Sequence, residues 1–161
     1  MQLGESFVGS GQNAAHVNTV LGPRDGPVGA AWASALATPT AGHAPFVVVL
    51  RPGLPVKPFT LLVNKARIDS DAHARMTWGA AQAGVAAGVA EAVAKDIVPD
   101  IDDVLIAAVW VDPAADDAEA VFNNNFEATA GALAMGQQGR PFVAEIEESR
   151  TDLWNPFFRS R

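Results

Sequence analysis

Residues 2–8 and 14–21 read as two strands in immediate succession, and Gly9-Ser10-Gly11-Gln12-Asn13 between them is turn chemistry. This feature constrains the fold most, because strand directly after strand favours α+β over a regularly alternating α/β chain. The remainder alternates short β-like runs with long Ala-rich helical ones. Thirty-one alanines concentrate in three stretches, and no linker, repeat or charge block divides the chain. The expectation is one α+β domain over residues 1–161, with a mixed sheet packed by Ala-rich helices. Residues 150–161 carry large aromatics and read as a C-terminal docking tail on the domain or a neighbouring subunit.

After Gly22-Pro23-Arg24-Asp25-Gly26, Pro27 suits the first turn of a helix over residues 27–37. Residues 46–50 are a continuous apolar run and read as a buried strand. Three prolines make residues 51–58 an irregular connection, and residues 59–68 read as another strand. Asp69 or Ser70 caps the helices that follow, which extend to about residue 97. A strand over 104–111, a helix over 113–136 and a short last strand over 141–145 complete the reading.

Composition narrows the function classes. A chain of 161 residues can bury roughly 68–70% of its unfolded surface and needs no covalent staple. With 49% hydrophobic and 18% charged residues, it falls outside the disordered and fibrous classes. A net charge of −7 argues against nucleic acid as a partner, since a phosphate backbone rewards clustered Lys and Arg. A small anionic ligand in a locally basic pocket stays compatible. The lack of cysteine excludes disulfides, thiolate catalysis and Cys-based metal sites. The opening residues have neither the basic region nor the apolar core of a signal peptide, and charges interrupt every long apolar run. A soluble cytoplasmic protein without membrane contact is expected.

Three constellations carry chemistry. In residues 14–21, alternation puts His16, Asn18 and Val20 on one face, opposite the more apolar Ala15, Val17, Thr19 and Leu21. His16 is either a hydrogen-bonded surface residue or a general acid or base, since imidazole trades protons near neutrality. In residues 61–68, Lys65 and Arg67 share a face with Leu61 and Val63. They form either a solvated strand end or a cationic hold for an anionic or carbonyl-bearing ligand. In the long helix, Gln82, Val85 and Val89 form one stripe, so Gln82 serves either a ligand or a neighbouring backbone group. Gly84 and Gly88 weaken that helix and imply close approach of another backbone, in a packed sheet or a subunit contact.

Other signals lead nowhere. No Gly-Lys-Ser/Thr run follows the glycines, and the serines lack nucleophile-elbow context. His16, His43 and His73 follow no ligand spacing, so no metal site is expected. Asp112, Asp116 and Asp117 read as electrostatic support for a helix N-terminus.

The opening Gly4-Glu5-Ser6-Phe7-Val8-Gly9-Ser10-Gly11-Gln12-Asn13-Ala14-Ala15-His16-Val17-Asn18 resembles that of the formaldehyde-activating enzymes, G-E-A-L-V-G-x-G-N-E-V-A-H-I-D. The likeness continues through Leu21-Gly22-Pro23-Arg24 and Pro52-Gly53-Leu54-Pro55-Val56-Lys57-Pro58, similar to L-I-x-G and P-N-L-P-x-K-P. Thr60-Leu61-Leu62-Val63-Asn64-Lys65 resembles T-L-x-x-N-K, and Gly79-Ala80-Ala81-Gln82-Ala83-Gly84-Val85-Ala86 resembles G-P-A-Q-x-G-V-A. An A-A-D-D-A run at residues 114–118 and Asn125-Phe126-Glu127-Ala128-Thr129, close to N-Y-E-A-T, follow in order.

The resemblance implies a cytoplasmic enzyme of one-carbon metabolism and formaldehyde detoxification. Such enzymes condense formaldehyde with tetrahydromethanopterin, a co-substrate rather than a tightly bound cofactor, and release methylene-tetrahydromethanopterin and water. It also implies a homopentamer of α+β subunits with pterin sites between neighbours. The family's proton-donating histidine falls on His16. Its pterin-contacting lysine and glutamine fall on Lys65 and Gln82, and a hydrophobic contact position falls on Val47. Two positions depart from the pattern: the aspartate two residues after the histidine is Asn18, and the threonine two after the lysine is Arg67. Asn18 keeps shape and hydrogen bonding without charge, whereas Arg67 adds a cation near the same pocket. A carbinolamine losing hydroxide needs a proton donor, and a carboxylate beside it would stabilise the iminium that forms. The departures therefore leave an alternative: a non-catalytic paralogue that binds another reduced pterin or folate, or senses formaldehyde. An oligomeric scaffold without ligand is the blandest reading.

Overall fold

In the computed structural model, which describes residues 1–156, 158 and 159, β1 (Gln2–Val8) and β2 (Ala15–Gly22) form an antiparallel hairpin. Gly9 and Gly11 in the connection have φ of 85° and 64°, a region open to glycine without a Cβ penalty. Helix α1 (Pro27–Ala37) begins on its proline as the sequence predicts. The apolar run at 46–50 departs from expectation, because it splits between two sheets. β3 (Phe46–Val47) pairs with the main sheet, whereas β4 (Val49–Arg51) forms a small antiparallel pair with β5 (Leu54–Pro55). Val48 is buried at the junction, but Leu50 is exposed.

β6 (Phe59–Asn64) is shorter than the predicted strand. Lys65 still donates its backbone N–H to Val109, and then the chain bends away. The buried Asn64 side chain fastens the bend by donating to the carbonyls of Gly42 and Ala66. Ser70 supplies the cap for α2 (Asp71–Ala74), accepting from the His73 N–H. A π-helical stretch, Arg75–Ala81, leads into α3 (Gln82–Ala94). β7 (Val104–Trp110) follows. Helix α4 (Ala118–Gln138) starts later than predicted, because Asp117 is its N-cap and accepts from the N–H groups of Glu119 and Ala120. The predicted strand at 141–145 is instead α5 (Val143–Ser149). Glu145 decides this, accepting from the Phe142 N–H and pairing with Arg140, so the first helical turn is satisfied locally. A terminal pair, β8 (Trp154–Asn155) and β9 (Phe158–Arg159), closes the described chain.

The main sheet has the order β1-β2-β7-β6-β3, antiparallel except for the parallel pair β6–β7. Parity divides its two faces. Ala15, Val17 and Leu21 of β2, Leu62 of β6, and Leu105, Ala107 and Val109 of β7 form a core with Val85, Val89, Val121 and Leu133 from α3 and α4. Each fully buried Val or Leu contributes roughly 1.5–3 kcal/mol of hydrophobic stabilisation. Gly84 and Gly88 belong to this intrachain packing and not to a subunit contact. A Cβ on Gly88 would lie 2.7 Å from the Phe126 carbonyl oxygen of α4, and one on Gly84 would lie 2.4 Å from that of Phe122.

The opposite face is only partly covered. Helix α1 packs over its Gly22 end, where Val28 meets Gly22 and the Trp32 indole donates to the Phe59 carbonyl. At the other end, Phe7 of β1, His16 of β2 and Trp110 of β7 stand in one cross-strand row, and among the described residues no α-helix lines the space beside it. Among the described residues, no helix is long and apolar enough to cross a membrane.

Candidate functional site

The row Phe7–His16–Trp110 forms the wall of a cavity of about 670 Å³, within the roughly 300–1,000 Å³ usual for small-molecule sites. Lys65 enters it because β6 runs parallel to β7 and Asn64 is in register with Val109, so the next residue reaches the end of the row. Asn18, one pleat along β2 from His16, lines the same cavity. Gly11 and Ala14 come from the hairpin connection, Asp112 from the residue pair after β7, and Asn155 and Pro156 from the C-terminal strand pair. The cavity therefore combines aromatic walls with a histidine, a lysine, a carboxylate and amides.

His16 is held from two sides. The Phe7 ring meets it edge-on with centroids 6.2 Å apart, and Phe7 meets Trp154 in the same manner at 5.7 Å. The Glu5 carboxylate stands 2.9 Å from His16 Nε2, with both side chains partly open to solvent. Glu5 is the register partner of Asn18, so it sits diagonally across from His16 on the same sheet face.

The cavity rim is tied to the start of α4. Asn13 accepts from the N–H groups of Asp116 and Asp117 and donates to the Asp116 carboxylate. Hydrogen bonds from the Gln12 and Asn13 side chains hold the Asp116 carboxyl below its ordinary range. Of the three acids assigned from sequence to a helix N-terminus, Asp117 caps α4 and Asp116 fastens the hairpin connection. Asp112 instead accepts from the Ala114 N–H and faces the cavity.

Three candidate residues lie elsewhere in the chain. Val47 is on the edge strand β3, three strands from β2, or roughly 14 Å at about 4.8 Å per strand spacing. Gln82 opens α3 on the other side of the sheet, and its Oε1 accepts from the Val49 backbone N–H at 2.7 Å. Arg67 lies beyond the bend, with its Cγ against Gly42. None of these three lines the His16 cavity. The remaining histidines are engaged elsewhere, with His43 Nδ1 3.0 Å from the Asn64 carbonyl and buried His73 Nε2 3.0 Å from that of Val111. Sequence reasoning missed Glu5, Phe7, Trp110 and Asp112. The parity that exposed His16 applies equally to Glu5 and Phe7, but only the strand register shows which residues stand beside it.

The profile of the formaldehyde-activating enzyme family matches residues 3–158. The chain belongs to that family. It is 40% identical over 158 residues to a 5,6,7,8-tetrahydromethanopterin hydro-lyase of Methanosarcina barkeri, covering 96% of this chain and 89% of that protein. It is also 35% identical to a bifunctional enzyme Fae/Hps of Methanosarcina acetivorans and 36% identical to one of Archaeoglobus fulgidus. Those alignments cover 96% and 97% of this chain but only 43% and 40% of the relatives. The family assignment extends across every element that builds the cavity, β1, β2, β6 and β7, and reaches the C-terminal strand pair.

Proposed function

We propose that this protein is a lyase-class enzyme that condenses formaldehyde with tetrahydromethanopterin, releasing methylene-tetrahydromethanopterin and water. The observation that carries the proposal is the convergence of His16, Asn18 and Lys65 in one aromatic-walled cavity. A reduced pterin keeps a flat pyrimidinone ring rich in hydrogen-bonding atoms, so Phe7 and Trp110 suit its ring faces and the amides suit its edges. One pterin amine adds to formaldehyde and gives a carbinolamine. His16 donates the proton with which the hydroxyl leaves as water, and the second amine then closes the ring and releases a proton. Lys65 supplies a positive donor for a carbonyl or anionic group of the carrier, and Asn18 supplies uncharged hydrogen bonds beside the reacting carbon.

Val47, Arg67 and Gln82 stand apart from the His16 cavity within one chain, so a carrier that touches all six candidate residues must bridge two copies. We therefore place the reaction at contacts between neighbouring subunits of a homo-oligomer, a pentamer by family resemblance. Stopped-flow measurement of condensation with tetrahydromethanopterin and with tetrahydrofolate, with and without protein, tests the reading. Acceleration with tetrahydromethanopterin is expected, and acceleration with neither carrier overturns it. His16→Ala should lower the acceleration by roughly 10²–10⁴-fold in a folded protein, the usual scale for removing a general acid.

A further inference from the structure

We propose that Glu5 is the positioning residue for His16 in this chain, where position 18 is an asparagine and Glu5 is the acid of the family pattern that remains beside the ring. The inference rests on the reading of His16 as proton donor. Its basis is the 2.9 Å approach of Glu5 Oε1 to His16 Nε2 and the register that sets Glu5 directly opposite Asn18. An ionised carboxylate can only accept a hydrogen bond, so the nitrogen facing it must carry a proton. Glu5 thereby fixes Nε2 as the protonated nitrogen in both charge states of the ring. The proton that comes and goes is then the one on Nδ1, and Nδ1–H of the imidazolium is the acid that addresses the substrate hydroxyl.

The surroundings agree with this division of labour. Phe7 meets the ring edge-on from β1 and offers no acceptor. Trp110 of β7, the register partner of His16, carries only a donor on its side chain. Lys65 enters the cavity as a cation, and Asn18, where a second carboxylate would stand, is neutral. Asp112 reaches the same cavity, but its Oδ1 is already an acceptor for the Ala114 N–H. Among the described residues, Glu5 is the carboxylate paired with His16. With Asn at 18, the charge beside the working ring comes across the hairpin from β1 and not from two residues along β2.

The test separates this proposal from the assignment of His16. Glu5→Val removes the acceptor while keeping a good strand residue at an exposed position, and Glu5→Gln keeps an uncharged acceptor. Nitrogen-15 NMR of the histidine ring, assigned with His16→Ala, reads the tautomer independently of turnover. The expected result is an Nε2–H ring in the parent, with an Nδ1–H population appearing in Glu5→Val; Glu5→Gln, whose amide can accept or donate, should fall between the two. Alongside it, kcat in Glu5→Val should fall about 10–100-fold with KM for the carrier little changed, the scale known for carboxylate partners of metal-bound histidines. Adding Asn18→Asp to Glu5→Val should recover much of the loss, because position 18 lies across the ladder from position 5. A Glu5→Val protein that keeps the parent tautomer, or the parent kcat while His16→Ala is crippled, overturns the role of Glu5 alone. An unchanged rate in folded His16→Ala overturns the acid assignment and the part of Glu5 with it.

Discussion

His16 owes its setting to its strand neighbours more than to its own sequence context. The pleat displays it, the hairpin register sets Phe7 against it and Glu5 diagonally across, and the parallel pairing of β6 brings Lys65 to the same row. The sequence alone displayed His16 and grouped Lys65 with Arg67. It had no means of knowing that β6 would end at Asn64 and turn Arg67 away toward Gly42. This changes the expectation for the two departures from the family pattern. With Glu5 already beside His16, Asn18→Asp restores the facing pair of acids that the family pattern carries at positions 5 and 18, with like charges opposed across the ladder. The single change should therefore alter the rate less than it does in Glu5→Val. If the carrier bridges two copies, Asn18→Asp and Arg67→Thr should couple by about 0.5–3 kcal/mol in a double-mutant cycle on kcat/KM, because both side chains then reach one ligand. A coupling below about 0.5 kcal/mol would mean that Arg67 of a neighbouring copy does not reach the carrier held at His16. Gln82 poses a different question, because its carbonyl oxygen already serves the Val49 N–H. Gln82→Leu should cost about 1 kcal/mol in chemical denaturation, the low end of the penalty for an orphaned donor, because the Val49 N–H is only partly buried. If stability is unchanged and only carrier binding falls, the residue is a ligand contact and not a structural one.

At the scale of elements, what was legible follows from period and punctuation. Residues 2–8 and 27–37 came out as predicted, because turn glycines and Pro27 mark their ends. The misses came from tertiary competition. An apolar run at 46–50 cannot reveal that its halves pair with different partners, and residues 141–145 look strand-like until Arg140 and Glu145 satisfy a helical turn. The hairpin connection is an element whose behaviour should depend on pH. Side-chain hydrogen bonds from Gln12 and then Asn13 depress the Asp116 carboxyl below its ordinary value of 3.8. A depressed folded value means that the contribution is fully present above about 3.8 and is lost as pH falls through the lower folded value. The connection should accordingly stay fixed at neutral pH and loosen only in strong acid. Amide exchange at Gln12 and Asn13 should show protection lost there, and Asp116→Asn should remove most of that pH dependence. Protection that disappears already near pH 6 would mean that another group governs the connection.

For the whole molecule, the decisive asymmetry lies between the two sheet faces. One is sealed by α3 and α4, whereas the other is covered by α1 only at its Gly22 end. Leu3 on that second face is 56% exposed, and the terminal segment leaves Leu153, Trp154 and Phe158 more than half exposed. Part of the predicted docking tail lies outside the described residues, including Phe157, but Trp154 already packs its ring against Phe7 beside the cavity. Exposed apolar groups on the face that carries a polar cavity suit a surface covered by a second copy. If assembly completes the site, activity and association must fall together. Light scattering should give a mass several times that of one chain, and specific activity should drop on dilution through the range where that mass declines. Leu3→Glu introduces a charge on this face without touching the α3–α4 core, so it should shift the protein toward monomer and lower kcat/KM. Its His16 NMR signature should stay unchanged, because the contact with Glu5 lies within one chain. A monomeric Leu3→Glu protein with full activity would show that the cavity of a single chain suffices, and the bridging of two copies by the carrier would then be wrong.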